Sequence, residues 1–172
     1  KPKKKRFLIY NGVSANVLYK IIKIEESEIL YVRFESINLF ILFFTFCKSG
    51  LKNLKMNYKI NYIKHVNPKF VVTNIDNDPS VNKLKNIFPN PCYISIQAGM
   101  RTNKQYYVLF DKNQNLKSLN VDHLFVFGKS TKEKILKNFK FNITITGSVL
   151  NNYYKKSNNI KIENSILFIS QT

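Results

Sequence analysis

FVVTNIDND (residues 70–78) and CYISIQAGMR (residues 92–101) are the two stretches on which the reading of this chain turns. Each opens as a short β-branched run and ends abruptly in polar, Gly- or Asp-containing sequence. Between them, residues 81–88 carry apolar side chains at 81, 84, 87 and 88, the spacing of one helix face. Strand, polar loop, helix, strand, polar loop is the rhythm of a parallel α/β sheet. Ligands of such sheets bind beyond the carboxyl ends of the strands. That rule directs attention to Asp76, Asn77, Asp78, Gln97, Gly99 and Arg101.

Upstream, residues 6–10 read as a first strand turned by Asn11-Gly12. Ser14 is placed to cap a helix whose apolar face is Val17, Leu18, Ile21 and Ile22. Residues 28–34 read as a second strand, with Arg33 and Glu35 at its end as an ion pair or a ligand contact. Asn38 is positioned to cap an apolar helix running to residue 47, with Ser49-Gly50 as its stop. A further helix spans 54–66 and ends before Pro68. The central strands are 70–75 and 93–97. Downstream, 106–110 is an apolar patch without clear periodicity and 123–127 a strand closed by Gly128. Ser130 caps a helix reaching to residue 138, and 143–146 is a strand before Gly147-Ser148. The expectation is a Rossmann-like parallel sheet of about six strands flanked by helices, occupying residues 1–150. A polar, Asn-rich linker follows over 151–164, and 165–172 read as the first strand of a truncated second domain.

With 172 residues and 44% hydrophobic content, the chain has enough apolar side chains for one full core. The formal net charge of +18 admits nucleic acid, an anionic membrane surface or phosphorylated substrates as partners. A general bias toward Lys, Asn, Ile, Phe and Tyr, the residues of AT-rich codons, accounts for the charge equally simply. Beyond the first six residues the lysines are spread over every segment. No RNP, helix-turn-helix or zinc-finger pattern is present, so nucleic acid is not the expected partner. Cys47 and Cys92, both in apolar surroundings, read as buried thiols in a reducing compartment. No metal-ligand spacing occurs, and His65 and His123 read as structural or exposed. The apolar run 37–47 is far short of the roughly 20 residues of a membrane span and fits a core helix or a membrane-surface segment. The basic start is followed only by FLIY before Asn11-Gly12, too short for a signal peptide, so a cytoplasmic protein is expected.

No GxGxxG or GxxxxGK[ST] is present, and Gly147-Ser148 lacks the flanking residues of a nucleophile elbow. Asp76 follows an apolar strand, where a carboxylate hydrogen-bonds a sugar hydroxyl or serves as a general base. Asp78 precedes Pro79, a favoured first helical residue, and reads better as a helix cap. Gly99 permits close backbone approach to a ligand. Arg101 offers a fork to a phosphate or carboxylate, or is a solvated loop residue. Gly147 and Ser148 either present backbone N–H groups to an anion or make an ordinary strand-to-helix turn.

Taken in order, LYVRFESINLFIL (30–42), VVTNIDND (71–78), FPNPCYISIQAGMR (88–101), HLFVFGKSTKEKI (123–135), ITGSVLNN (145–152) and ILFISQ (166–171) resemble the surface carbohydrate biosynthesis protein family of bacteria. Order and spacing carry the resemblance over nearly the whole chain; no single motif is diagnostic. Those proteins are similar to GT-B glycosyltransferases and to the glycerophosphotransferases of cell-wall polymer synthesis. One departure is plain: the family's Gln-Asn-Gly is Gln97-Ala98-Gly99 here, which removes a side-chain amide from the cleft.

The resemblance implies the N-terminal, acceptor-side half of a GT-B-like two-domain enzyme, inactive without its second half. It implies transfer of a sugar or polyol phosphate from a nucleotide-activated donor to a glycan or lipid-linked acceptor, with no tightly bound cofactor and no metal. Asp76 would orient or deprotonate the acceptor hydroxyl. Asn11, Gly12, Asn77, Gln97, Gly99, Arg101, Gly147 and Ser148 would bind substrate. The basic surface would serve a lipid-linked acceptor at the inner face of the plasma membrane, worth about 1 kcal/mol per lysine near an anionic surface. Two other readings compete: a basic nucleic-acid-binding module, and a non-catalytic glycan-binding protein, which Ala98 keeps open.

Overall fold

Short apolar runs that are buried on both sides need a neighbour strand at each edge and helices on each face. The computed structural model provides both, and describes residues 1–13, 15–33, 35–76, 78–100, 120–136, 142–149 and 151. Six strands, β1 (Phe7–Tyr10), β2 (Ser27–Leu30), β3 (Phe70–Thr73), β4 (Cys92–Ile96), β5 (His123–Val126) and β6 (Asn142–Ile145), form one sheet. Every pairing is parallel and the order is β2-β1-β3-β4-β5-β6. The helices are α1 (Ala15–Leu18), α2 (Leu39–Ser49), α3 (Leu54–Val66), α4 (Pro79–Ile87) and α5 (Lys129–Leu136). The fold is α/β and Rossmann-like, as read.

The chain steps from β1 outward to β2, then crosses back over β1 to β3 and continues the other way. The winding reverses between β1 and β3, which is the topological switch point. Right-handed connections then put α1 on one face and the later helices on the other. The packing agrees. Ala15 and Leu18 of α1 bury against Ile9, Val72 and Ile96, whereas Tyr62 and Ile63 of α3, Leu84 of α4 and Ile135 of α5 bury with Leu8, Tyr10, Val71, Tyr93 and Leu124. Strand side chains alternate between faces, so Ile9 and its neighbours Leu8 and Tyr10 are divided between the two cores.

Local signals set the helix ends. Asn38 Oδ1 accepts the Ile41 N–H at 3.2 Å at the start of α2. Asp78 Oδ1 accepts the Ser80 N–H at 2.8 Å with Pro79 as the first helical residue, so Asp78 is the cap that its sequence context suggests. Asn67, at φ 50°, closes α3 by donating its N–H to Ile63 O at 2.8 Å.

Several expectations are corrected. β2 spans Ser27–Leu30 and stops well short of residue 34: among the described residues it is an edge strand, and its ladder with β1 closes where Asn11 N–H meets Leu30 O at 3.0 Å. β3 ends at Thr73, where the Thr73 Oγ1 captures the Ile75 N–H at 3.1 Å and turns the backbone. The first helix is a single turn, and the chain leaves it for a 3₁₀ segment, Ile24–Glu26, that no periodicity announces. α5 starts at Lys129, so Gly128 and not Ser130 precedes it. Cys47 is exposed, because α2 buries only Ile41 and Thr45, and Cys92, the first residue of β4, is half-buried. Arg33 and Glu35 are both exposed and do not pair with each other. The Ser14 cap, the patch at 106–110, the helix end near 138, the linker from 152 and the strand 165–172 lie outside the described residues. Among the described residues, no helix is long and apolar enough to cross a membrane.

Candidate functional site

Because all six strands are parallel, the residues that follow them gather along one edge of the sheet. Asn11 and Gly12 follow β1, residues 74–76 follow β3, residues 97–99 follow β4, and Gly147 and Ser148 follow β6. The structure brings the β3 and β4 loops into contact: Asp76 Oδ1 accepts the Ala98 N–H at 3.3 Å. Gln97 is buried and holds the next loop in place. Its Oε1 accepts the Phe127 N–H at 2.8 Å and its Nε2 donates to Gly99 O at 2.8 Å, so both ends of this amide shape the edge. Among the described residues, a Cβ on Gly99 would meet nothing within 4 Å, so their packing does not require glycine there.

Asn11 is buried at φ 80°, in the left-handed region that Asn tolerates, with its Oδ1 accepting the Val13 N–H at 3.0 Å. A Cβ on Gly12 would collide with the Tyr31 ring, which explains glycine at this turn. Gly147, at φ 71°, also needs its freedom, and Ser148 Oγ accepts the Asn151 N–H at 3.3 Å. With adjacent strands about 4.8 Å apart, Gly147 and Ser148 sit roughly 14 Å along the edge from the β3 loop. They share its edge but not its crevice. Asn77 and Arg101 lie outside the described residues.

Two features at the switch point escape the sequence reading. Asn74, immediately after β3, is 8% exposed and its Oδ1 has no hydrogen-bond partner among the described residues. A buried amide oxygen left without a donor costs about 1–3 kcal/mol and is the kind of group a ligand hydroxyl satisfies. Its signal is legible in retrospect, since an Asn ends the apolar run VVT at the binding edge.

The second feature is a polar chain under the end of β1. Lys59 Nζ, on α3, donates to Tyr10 Oη at 2.6 Å and to Ser80 Oγ at 3.2 Å. Ser80 Oγ in turn donates to Asp78 Oδ1 at 2.6 Å, and Tyr10 Oη is also bonded to Ser80 Oγ. Burial holds the Tyr10 phenol well above its usual range, so it remains a donor to Ser80. Burial also lowers the Lys59 ammonium, with Asp78 acting in the opposite direction and Lys55 reinforcing the fall. Lys59 stands three and four residues before Tyr62 and Ile63, which places it on the buried stripe of α3; that spacing was the available signal.

The remaining groups resolve into structural roles. A cavity of about 360 Å³ beside β2 is lined by Tyr19, Glu28, Tyr31, Tyr58 and Tyr62, but it runs along the edge strand, and Glu28, Tyr58 and Tyr62 are already engaged. Tyr62 donates to Glu28 Oε1 at 3.0 Å and is also 3.1 Å from Ile29 O, and Tyr58 accepts the Asn38 N–H at 2.9 Å. His65 bonds Asn61 O through Nδ1 at 2.8 Å and stands edge-on to Phe40 and Phe44. Among the described residues, no group of three or more His, Cys, Asp or Glu is arranged to hold a metal ion.

Residues 94–172 match a family model described as "putative O-antigen biosynthesis protein". The match supports a place in surface carbohydrate biosynthesis. It takes in most of β4 and all of β5 and β6, together with Gln97, Gly99, Arg101, Gly147 and Ser148. The switch-point half, with Asn11, Gly12, Asn74 and Asp76, lies outside it. No curated protein and no solved structure matches the chain.

Proposed function

We propose that the chain is the acceptor-side domain of a GT-B-like glycosyltransferase of surface carbohydrate synthesis. It takes a nucleotide-activated sugar as donor and a glycan or lipid-linked acceptor, and needs no tightly bound cofactor. The observation that carries this reading is at the carboxyl edge of the sheet, where Asp76 is docked on the 97–99 loop and Asn74, two residues before it, has a buried amide oxygen with no partner among the described residues. Acceptor groups of this kind suit the hydroxyls of a sugar. The family match over residues 94–172 supports the same process.

In this reading Asn74 accepts from one acceptor hydroxyl, and Asp76 takes the proton of the hydroxyl that reacts. The oxygen of that acceptor hydroxyl forms the new bond to the anomeric carbon, the bond from that carbon to the donor phosphate oxygen breaks, and the nucleotide leaves with the electron pair. Asn11, Gly12, Gln97 and Gly99 lie along the same edge, Gly147 and Ser148 lie further along it, and Asn77 and Arg101 keep the substrate-binding role that the family resemblance implies. The test is nucleotide release by the full-length protein from a panel of sugar nucleotides in the presence of a lipid-linked acceptor. Asp76→Asn is expected to slow release about 10²–10⁴-fold. An unchanged rate would remove Asp76 from the site.

The same reading places the protein in the cytoplasm, peripheral at the inner face of the plasma membrane, and α2 supplies the contact. Leu39, Phe43 and Phe46 are 74%, 71% and 50% exposed and fall on one side of α2, which gives the helix an exposed apolar face. Lysines border it: Lys1 Nζ lies 6.0 Å from the Phe40 ring centre and Lys48 Nζ 5.9 Å from that of Phe44. Aromatic side chains rimmed by lysine are the composition of a segment that rests in an anionic lipid interface.

A further inference from the structure

Lys59 is 5% exposed, yet it makes no ion pair among the described residues. A buried ammonium held only by a phenol and a hydroxyl is expensive to desolvate, and proteins place such groups where a partner charge arrives. An ammonium has three N–H donors. Tyr10 Oη and Ser80 Oγ accept two of them, which leaves one.

The surroundings say where the third points of contact lie. Lys59 lines a cavity of about 470 Å³ with Ser80 and two further lysines, Lys55 and Lys83, while Leu51 and Met56 give it an apolar side. The cavity opens at the binding edge of the sheet. α3 runs antiparallel to the strands: Lys59 in its first half touches Tyr10, the last residue of β1, while Val66 at its end accepts the Lys5 N–H at 3.2 Å, just before β1 begins. Asp78 is the one carboxylate in the chain of contacts. Its Oδ1 is occupied by the backbone N–H and hydroxyl of Ser80, and it does not line the cavity. Three ammonium groups, those of Lys55, Lys59 and Lys83, therefore line one cavity at the β1/β3 switch point, and the buried one, Lys59, forms no ion pair among the described residues.

We propose that this cavity is a phosphate site, in which Lys55, Lys59 and Lys83 hold the phosphoryl or pyrophosphoryl group of a ligand. Ser80 and Tyr10 act as positioning residues: their hydroxyls fix the Lys59 Nζ, and the Ser80 proton is already given to Asp78. The apolar side accommodates what the phosphate carries, either a nucleoside or a lipid chain. The site stands on its own geometry and does not depend on Asp76 being catalytic.

Isothermal titration of the whole chain with sodium pyrophosphate is the first experiment. We expect one saturable site that weakens as salt rises from about 0.01 M to about 0.1 M, the range over which exposed charges become screened. Lys83→Glu and Lys55→Glu, both at exposed positions, are expected to weaken binding roughly tenfold or more each, with thermal melts reporting the fold. Lys59→Met is expected to abolish it, with circular dichroism reporting the fold. Absence of pyrophosphate binding, or equal affinity in wild type and the two Glu variants, overturns the proposal. Displacement of pyrophosphate by uridine diphosphate assigns the site to a soluble nucleotide, and displacement by dodecyl phosphate assigns it to a lipid-linked phosphate. Displacement by neither overturns the assignment to a substituted phosphate.

Discussion

Replacing Lys59 by Met tests whether a buried charge is kept at the cost of stability. The structure gives the opposing effects. Two hydrogen bonds from the ammonium are lost, to Tyr10 Oη and Ser80 Oγ, each worth about 1.5–3 kcal/mol when one partner is charged. Against that, the desolvation penalty of the ion, several kcal/mol, disappears. No buried hydroxyl is orphaned, because Tyr10 Oη and Ser80 Oγ stay bonded to each other and Ser80 to Asp78. Met is unbranched and fills nearly the same channel. The two effects nearly cancel, so the expected change is within about 1.5 kcal/mol of zero by urea unfolding, or roughly 3–6 °C in Tm.

The pH dependence decides the cause. The folded pKa of Lys59 lies below the unfolded value of 10.5, chiefly through burial. Between the two values the unfolded chain binds more protons, so this residue makes the wild type gain stability as pH rises toward 10.5. The variant lacks that gain, and its stability relative to wild type is expected to be highest at pH 7 and to shrink toward pH 10. Tyr10, Tyr62 and Tyr93, all raised by burial, oppose the trend above their unfolded value of 10.0, but they do so in both proteins. A loss above about 3 kcal/mol at pH 7, beyond what breaking such hydrogen bonds allows after desolvation is relieved, would refute the reasoning. So would a difference that does not change with pH.

Other outcomes follow from the same structure. Leu84→Ala, at a fully buried position of α4, is expected to cost about 2–5 kcal/mol, read as a lower urea midpoint with an unchanged slope. Gln97→Ala removes the acceptor of the Phe127 N–H and the donor to Gly99 O; a loss of about 1–3 kcal/mol in thermal melts would accord with its role between the β4 and β5 loops. Phe43→Ser together with Phe46→Ser is expected to leave stability within about 0.5 kcal/mol per site while releasing the protein from phosphatidylglycerol vesicles in co-sedimentation. Retention of vesicle binding by this double variant would exclude α2 as the membrane contact.

How much was legible beforehand differs between the elements and the site. The cap residues Asn38 and Asp78 act within three residues of themselves, so their roles can be read locally. The strand cores at 70–73 and 92–96 announce themselves as apolar runs, because a strand buried on both faces has no polar alternation to confuse it. Strand ends are different. β2 stops at Leu30 because β1 has turned away at Asn11, and no residue near position 30 records where a partner strand ends. The loops after β3 and β4 were identified from their position beyond strands, and the Asp76 to Ala98 bond spans 22 residues between them. Lys59 was missed as a site residue, since in sequence it is one lysine among many.

By itself the sequence determined a parallel α/β domain, the places of its strands and helices, and the edge where polar residues would collect. These depend on side-chain periodicity and on caps, which act over a few residues. The tertiary structure alone decided the strand order, the switch point between β1 and β3, and the meeting of Tyr10, Lys59 and Ser80 across 49 and 21 residues of chain. Such pairings follow from how crossovers wind and which faces they bury, and the free energy of those contacts is spread over the whole core with no local pattern to mark it.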